Sequence, residues 1–336
     1  GLVAAGRPRE APLEPGQAVQ IMTGAAVPAG ADAVLQVEKT RSLDGGTRVE
    51  LLALVEPGLN VARRGSEVRA GEVVLERGHL VDAAATAVLA TVGAARVEVG
   101  RRPRVAVLAT GDELVDVADT PGPGQIRDSN GPALLALARL AGADPWPLGR
   151  VTDDGPRLER RLAEGLQADV LLVAGGVSEG VYDLVEPALE RLGVERLFER
   201  VAIKPGQPLV FGRRGATLVF GLPGNPVSAQ VTFELFVRPA LLRMQGAAVA
   251  TRPTVAARLA TPLLNRSRRR NHLPARLRWE DGGFVAQPRR SQGSADGRAH
   301  ARAHALLVLE AARTRAEAGE SVPALLLPAF LDQDER

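Results

Sequence analysis

The sequence predicts a multi-domain protein of α/β and β structure. A central α/β domain with a mostly parallel sheet is expected between a mixed β-rich N-terminal region and a small C-terminal β domain. The chain has 336 residues, which is long enough for two or three domains. Between residues 104 and 246, short apolar runs alternate with amphipathic helical patterns, as in parallel sheets with crossover helices. On both sides of this segment, strand-like runs are separated by Gly and Pro turns.

The composition is that of a globular protein, with 45% hydrophobic and 24% charged residues. No apolar run is long enough to cross a bilayer and no signal-peptide pattern opens the chain, so we expect no membrane association. The absence of cysteine excludes disulfides, thiolate metal ligands and a Cys nucleophile, and it fits a cytoplasmic location. A net charge of only +3 and 3% aromatic residues disfavour nucleic-acid binding.

The N-terminal region, residues 1–67, contains two strand candidates, Ala18–Met22 and Ala33–Val37. Leu43–Gly46 predicts a hairpin turn between two extended runs, and Asn60–Glu67 predicts a polar loop. The chain starts without Met, and its first residues resemble the middle of a strand. We therefore expect that a segment precedes them in the full protein.

Residues 68–103 predict a linker region with one helix. Asp82 can cap a helix over Ala83–Val92, and Gly93 can end it. Arg96–Val99 predicts a strand just before the central domain.

The central domain, residues 104–246, predicts alternating strands and helices. The expected strands are Val105–Leu108, the run that starts at Asp169, and a hairpin of Leu209–Phe211 with Leu218–Phe220. The expected helices are Pro132–Leu140, one capped by Asp154, one over Asp183–Leu192, and a long one ending near Met244.

The C-terminal domain, residues 247–336, predicts a small β fold. Its strand candidates are Thr254–Leu259, Ala275–Trp279, Phe284–Gln287 and Ala305–Leu309, with a hairpin turn at Gly282-Gly283. Between the first two strands, Arg266–Arg270 is almost entirely basic, a pattern typical of a solvated loop.

Polar or glycine-rich clusters follow several strands of the central domain. They are Thr110–Glu113, Thr152–Asp154, Gly175–Asp183 and Leu222–Ser228. Ligands of open α/β sheets bind beyond the carboxyl ends of the strands. We therefore expect these clusters to form one site.

The residue types in these clusters indicate a phosphorylated anionic ligand. Gly175 and Gly176 carry no Cβ that would keep a ligand off the backbone, and the helix start near Asn225 suits phosphate. The carboxylates of Asp153, Asp183 and Glu113 would repel phosphate unless a cation lies between them, which predicts Mg²⁺. No P-loop and no dinucleotide-binding glycine motif is present, and the four histidines lie outside these loops. A Ser-His-Asp hydrolase is thus disfavoured.

Lysine is rare in this chain: only Lys39 and Lys204 occur among 42 basic residues. A lysine kept against such an arginine bias indicates a position that needs a compact ammonium group. Lys204 is followed by Pro-Gly-Gln-Pro, and it is the natural partner for an oxyanion.

Five motifs resemble those of one known family in order and spacing. They are Ile21–Gly24, Thr110–Leu114, Gly175–Ser178, Ala202–Gly206 and Gly221–Ser228. The chain resembles the molybdopterin molybdenumtransferase (MoeA) family, which includes the gephyrin E domain, from about residue 18 to residue 309. The resemblance implies an elongated homodimer, with dimerisation in the 68–103 region and a β barrel at the C-terminus. It also implies molybdenum cofactor biosynthesis: molybdate is inserted into adenylylated molybdopterin, and AMP is released with Mg²⁺.

The resemblance also implies roles for individual residues. The catalytic positions are Glu113, Asp153, Asp183 and Lys204, and Asp153 and Asp183 are the metal positions. Ser178 and Lys204 match molybdate-binding positions, and Thr23 and Glu67 would come from the partner subunit. The substrate-binding residues are Thr23, Glu67, Gly111, Asp112, Gly175, Gly176, Ser178, Pro223, Gly224, Asn225, Pro226 and Ser294.

Three positions depart from the family pattern. Gln207 stands where the family has a second lysine, Glu67 where it has aspartate, and Pro274 where it has arginine. Arg269, Arg270 or Arg298 could compensate for the missing charge. A molybdopterin-binding paralogue without turnover or with an altered oxyanion preference therefore stays open. So does a molybdopterin adenylyltransferase, and so does a nucleic-acid binder that uses Arg266–Arg270.

The partners expected from the resemblance are a second copy of the chain, a molybdopterin adenylyltransferase and the molybdoenzymes that accept the product. The sequence does not choose between molybdate and tungstate, because both are tetrahedral dianions of nearly equal size.

Overall fold

The fold is described from a computed structural model, which covers residues 1–176, 184–289, 293 and 296–328. The chain divides into two compact units, Gly1–Glu76 and Arg77–Arg336. In the described ranges, no helix is both long enough and apolar enough to cross a membrane.

The first unit contains little regular structure. Its strands are β1 (Leu2–Val3), β2 (Gln20–Ile21), β3 (Thr40–Leu43) and β4 (Arg48–Leu51). The pair β1–β2 is parallel and the pair β3–β4 is an antiparallel hairpin, as expected around Leu43–Gly46. The strand predicted at Ala33–Val37 is wrong: Val34 exchanges hydrogen bonds with Leu59 and Asn60 of a loop, and Val37–Lys39 forms a 3₁₀ turn. Isolated bonds to a loop cannot build a strand ladder.

The second unit begins with helix α1 (Ala83–Thr91). Asp82 caps it by accepting a hydrogen bond from Ala85 N at 2.8 Å, as predicted. The strand predicted at Arg96–Val99 is wrong, because this segment pairs with no strand of the described chain. A Cβ on Gly100 would lie 1.8 Å from Gln245 O, so the chain here is packed against the end of the last helix of the central domain.

The central domain is built on a six-stranded sheet. Its strands, with three short accessory ones, are β5 (Arg104–Thr110), β6 (Leu114–Val115), β7 (Ile126–Arg127), β8 (Asp144–Val151), β9 (Val170–Ala174), β10 (Glu195–Arg200), β11 (Ile203–Lys204), β12 (Pro208–Arg214) and β13 (Thr217–Leu222). The sheet order is β10-β12-β13-β9-β5-β8. The four strands β13, β9, β5 and β8 pair in parallel, and β12 pairs antiparallel with both β13 and β10, which confirms a mostly parallel sheet.

Helices cover both faces of this sheet. They are α2 (Asn130–Leu140), α3 (Gly155–Gly165), α4 (Val185–Arg191), α5 (Pro226–Thr232) and α6 (Arg238–Met244), with a π-helical turn at Phe233–Val237. Successive residues of β9 point to opposite faces: Leu171 packs with Leu158 and Leu162 of α3, and Leu172 packs with Leu134 and Phe233. Burial on both faces explains why β9 reads as a continuous apolar run.

Within the six-stranded sheet, the sequence did not predict β8 and β10, and these two strands are its edges. Strand β8 contains Pro145 and Pro147, which cannot donate to a ladder and are tolerated at an edge. Strand β10 is exposed along its whole length and carries four charged residues. Edge strands of this kind lack the apolar pattern by which a strand is recognised.

The elements of the C-terminal domain are β14 (Thr254–Leu259), β15 (Leu263–Leu264), β16 (Arg270–Glu280), β17 (Gly283–Pro288), helix α7 (Gly297–Ala301), β18 (Ala305–Leu309), β19 (Arg315–Ala316) and β20 (Ser321–Leu326). Strands β16, β17, β14, β20 and β18 form a closed five-stranded barrel, as expected. Strand β11 of the central segment pairs in parallel with the start of β16, which ties the barrel to the central domain.

Candidate functional site

The loops that follow β5 and β8 meet at one edge of the central sheet. Gly111 N donates to Val151 O at 3.2 Å, and Asp153 N donates to Asp112 Oδ1 at 2.9 Å. These bonds form because β5 and β8 are neighbouring parallel strands whose carboxyl ends coincide. The structure thus brings together Gly111, Asp112, Glu113 and Asp153, here called the Asp112–Asp153 cluster.

The electrostatics of this cluster favour a bound cation. Burial is the main cause that raises the pKa of Asp153, and the carboxylates of Asp112 and Glu113 raise it further. Like charges held this close repel each other, and a divalent cation among their oxygens would relieve the repulsion. The described residues contain no group of three or more His, Cys, Asp or Glu arranged to hold a metal unaided. The donor type fits Mg²⁺, which takes few protein carboxylates and completes its shell with water and phosphate.

Two glycines join the ends of β5, β9 and β13. Gly175 has φ 95°, and its N–H donates to Leu222 O at 3.1 Å. A Cβ on Gly175 would lie 2.5 Å from Thr110 O, and one on Gly176 would lie 2.6 Å from Val185 Cγ2. Both glycines are therefore required by the packing of the strand ends themselves, whether or not a ligand approaches.

The Leu222–Ser228 loop reaches the same edge. Pro223 is buried, whereas Gly224 and Asn225 are exposed, and Pro226 opens α5. An ideal Cβ on Gly224 would lie 3.7 Å from Gly175 Cα, so the loop after β13 is in contact with the loop after β9.

Asn130, at the start of α2, is a site residue that the sequence analysis missed. Its Nδ2 donates to Gly224 O at 2.7 Å, and its buried Oδ1 has no partner within the described part of the chain. The available signal was the polar run Asp128-Ser129-Asn130 directly before an apolar helix.

Lys204 lies at the end of β11, and the turn that follows it packs on α5. It is exposed, and it stands just before the cis-proline Pro205. Gly206 packs on α5, since a Cβ there would lie 2.5 Å from Thr232 Cγ2 and 3.5 Å from Ser228 O. Within the described residues, no hydrogen bond or ion pair joins Lys204 to the Asp112–Asp153 cluster. The turn after Lys204 contacts α5, the helix that begins directly after the β13 loop.

The other predicted site residues lie either outside the described residues or in the first unit. Ser178, Asp183 and Ser294 lie outside the described residues. Thr23 and Glu67 are exposed in the first unit: Thr23 lies in the turn closed by Ala25 N and Met22 O, and Glu67 borders a concavity of about 550 Å³.

Three family models match successive parts of the chain. The MoeA N-terminal region (domain I and II) matches residues 2–93, the probable molybdopterin binding domain matches residues 106–243, and the MoeA C-terminal region (domain IV) matches residues 256–327.

Named relatives agree with these matches. The molybdopterin molybdenumtransferase of Nostoc sp. (strain PCC 7120) is 36% identical over 94% of this chain and 73% of its own. That of Bacillus subtilis is 40% identical over 70% of this chain, and the aligned part spans only 56% of the relative. The crystal structure of the molybdopterin biosynthesis MoeA protein from Pyrococcus horikoshii superimposes with a TM-score of 0.81 at 28% identity, covering 97% of this chain and 79% of that one. The chain belongs to the molybdopterin molybdenumtransferase (MoeA) family.

Proposed function

We propose that this protein inserts molybdate into adenylylated molybdopterin and releases AMP with the help of Mg²⁺. The observation that carries this proposal is the meeting of the Asp112–Asp153 cluster with the glycine loops at Gly175 and Gly224 on one sheet edge. Such an edge offers carboxylates for a cation and exposed backbone for a phosphorylated ligand. The names of the related proteins support the same reaction.

The residues divide into two groups by charge. Asp153, with Asp183 and Glu113, would hold Mg²⁺ against the phosphates of the adenylylated pterin. Bound Mg²⁺ would neutralise phosphate charge and make AMP a better leaving group. Lys204 would hold molybdate, because an ammonium group is a strong hydrogen-bond partner for a tetrahedral dianion.

The proposal is tested by mixing the protein with adenylylated molybdopterin, Mg²⁺ and molybdate and following AMP by chromatography. We expect AMP release that needs both molybdate and Mg²⁺. AMP release at the same rate with and without molybdate would contradict the proposal. Consumption of ATP with free molybdopterin would instead indicate an adenylyltransferase, and tight pterin binding without AMP release would indicate a non-catalytic paralogue.

Asp153→Asn is expected to reduce stabilisation by Mg²⁺ without lowering the stability of the metal-free protein. Because the pKa of Asp153 is raised in the folded protein, its contribution to stability is present at low pH and is lost as pH rises through that pKa. At pH 7 without metal, the variant should therefore be at least as stable as the wild type. Saturating Mg²⁺, at 100 times its Kd, should stabilise the wild type by about 2.7 kcal/mol and the variant by much less.

Thermal unfolding with and without Mg²⁺ measures both effects of Asp153→Asn. Asp154→Asn is the matched control, since Asp154 caps α3 through Arg157 N at 2.9 Å and asparagine can keep this cap. Equal Mg²⁺ stabilisation of the wild type and Asp153→Asn would remove Asp153 from the metal site.

We further propose that the protein works as a homodimer joined through the surface around α1. This helix has the apolar sequence Ala-Ala-Ala-Thr-Ala-Val-Leu-Ala-Thr, yet only Ala85 is buried. Leu80 is 76% exposed and Val99 is 68% exposed beside it in sequence. Apolar surface of this kind marks a protein contact.

Analytical ultracentrifugation tests the dimer. We expect a species of twice the 35.3 kDa chain mass, and a shift toward the monomer for Leu80→Glu with Val99→Asp. Leu264→Asp, at an exposed apolar residue of the C-terminal barrel domain, is the control and should leave the mass unchanged. A wild-type chain that sediments as a monomer at micromolar concentration would contradict this proposal.

A further inference from the structure

The basic run Arg266–Arg270, here called the arginine turn, is a surface loop whose backbone is fixed by side-chain hydrogen bonds. Asn265, directly before it, is only 1% exposed, and its Nδ2 donates to Arg269 O at 2.8 Å and to Glu310 O at 3.2 Å. The Oδ1 of Asn265 accepts from Ser267 N at 3.1 Å. One buried amide side chain therefore closes the turn and ties it to the end of β18.

A second set of bonds fixes the middle of the arginine turn. Ser267 Oγ lies 2.8 Å from Asn265 Oδ1 and 2.9 Å from Asn271 Oδ1, and it accepts from Arg269 N at 3.3 Å. Asn271 is only 3% exposed. Anchors at both ends determine the direction in which each arginine leaves the backbone.

The arginines of this turn have different partners. Arg270 Nε pairs with Glu310 Oε1 at 3.1 Å, so this arginine has a carboxylate partner. Arg269 is half-buried, and its Nη1 donates to Oε1 of Gln207. Because an amide is neutral, the charge of Arg269 is not cancelled by the partner that holds it. Of these two arginines, only Arg269 lacks a carboxylate partner within the described part of the chain.

The backbone places Arg269 beside the segment that carries Lys204. Strand β11 pairs with β16 so that Ile203 faces Arg270 and Lys204 faces Asn271, and Arg270 N donates to Ala202 O at 3.1 Å. Gln207, the partner of Arg269, is three residues beyond Lys204. The segment 204–207 thus carries one cationic residue and holds the side chain of another, and within the described residues no carboxylate pairs with either.

We propose that Arg269 is a second cationic contact for the oxyanion substrate and that Gln207 positions it. This inference rests on the proposed function, because it concerns the same substrate. A tetrahedral dianion carries more charge than one ammonium group balances, and a guanidinium offers a planar pair of donors to two of its oxygens. Gln207 is itself neutral, but it accepts a hydrogen bond from Arg269. It thereby holds a cationic side chain of the C-terminal domain next to the segment of Lys204.

The test is equilibrium dialysis of the full-length protein with molybdate, with and without adenylylated molybdopterin. Arg269→Ala should weaken molybdate binding by about 10- to 100-fold. Gln207→Glu should weaken it similarly, since a carboxylate would neutralise Arg269. Arg269→Lys should keep more affinity than Arg269→Ala. Arg266→Ala is the matched control: it removes an exposed arginine of the same turn and should change nothing.

Kinetics give an independent readout of the same variants. Arg269→Ala should raise the KM for molybdate in the AMP-release assay with little change in kcat at saturating molybdate or in affinity for the adenylylated pterin. Molybdate binding equal to the wild type in both Arg269→Ala and Gln207→Glu overturns the inference, and so does equal weakening by Arg266→Ala. A wild type that binds molybdate in an Arg269-dependent way but releases no AMP would instead overturn the proposed function and leave this inference standing.

Discussion

Lys204→Ala is expected to lower molybdate-dependent AMP release by about 100- to 1000-fold, the usual cost of removing one preorganised donor to a developing or bound oxyanion. Lys204 is exposed at the end of β11, next to a turn that packs on α5. No ion pair within the described residues occupies its ammonium group, so it can bind an anion without first leaving a partner. The measurement is the rate of AMP formation at saturating adenylylated molybdopterin and Mg²⁺.

Lys39 provides the matched control for this substitution. It is the only other lysine, it is exposed, and it ends the 3₁₀ turn of the first unit. Lys39→Ala should therefore keep the wild-type rate. If Lys204→Ala retained more than half of the wild-type rate, or if both substitutions lowered it equally, Lys204 would not be the oxyanion ligand.

Arg252→Ala is expected to lower the free energy of unfolding by about 3–5 kcal/mol, because it leaves a buried carboxylate without its main partner. The side chain of Glu234 is only 2% exposed. Arg252 binds both of its oxygens, through Nε at 2.9 Å and Nη2 at 3.1 Å, whereas Arg238 Nε lies 4.0 Å away. Chemical denaturation followed by circular dichroism measures the loss.

Two comparisons define this effect. Arg278→Ala breaks an ion pair with Glu280 whose members are both well exposed, and it should cost less than about 1 kcal/mol. The double substitution Arg252→Met with Glu234→Leu removes both charges and should recover much of the stability lost in Arg252→Ala. A single variant as stable as the wild type would show that Arg238 alone can balance Glu234.

The parts of the fold that follow from local pattern were predictable. The strand that starts at Asp169 has an unbroken apolar sequence because β9 is buried on both faces. Asp82 and Asp154 predict the starts of two helices, and the structure shows both as N-caps, of α1 and α3. The edge strands β8 and β10 were not predictable in this way. Their prolines and charges suit an edge, and nothing local distinguishes such residues from a loop.

The same distinction holds for the candidate site. The meeting of Asp112 with Asp153 could be expected, because the carboxyl ends of neighbouring parallel strands coincide. The contact of Asn130 with Gly224 joins residues 94 positions apart, and that of Arg269 with Gln207 joins residues 62 apart. Neither contact has a periodic or local signature. Both depend on how helices and the barrel pack after the strands have formed.

The pairing of β11 with β16 bears on how the polypeptide can be divided. A fragment that started at residue 247 would contain every strand of the barrel, yet the first residues of β16 would lose main-chain partners that only the preceding segment supplies. Arg252 in the same fragment would lose its counterion. The first residues of β16 are thus paired by a stretch of chain that lies more than forty residues before the barrel. Removing that stretch would leave unpaired main-chain groups on β16, and such an exposed edge favours self-association.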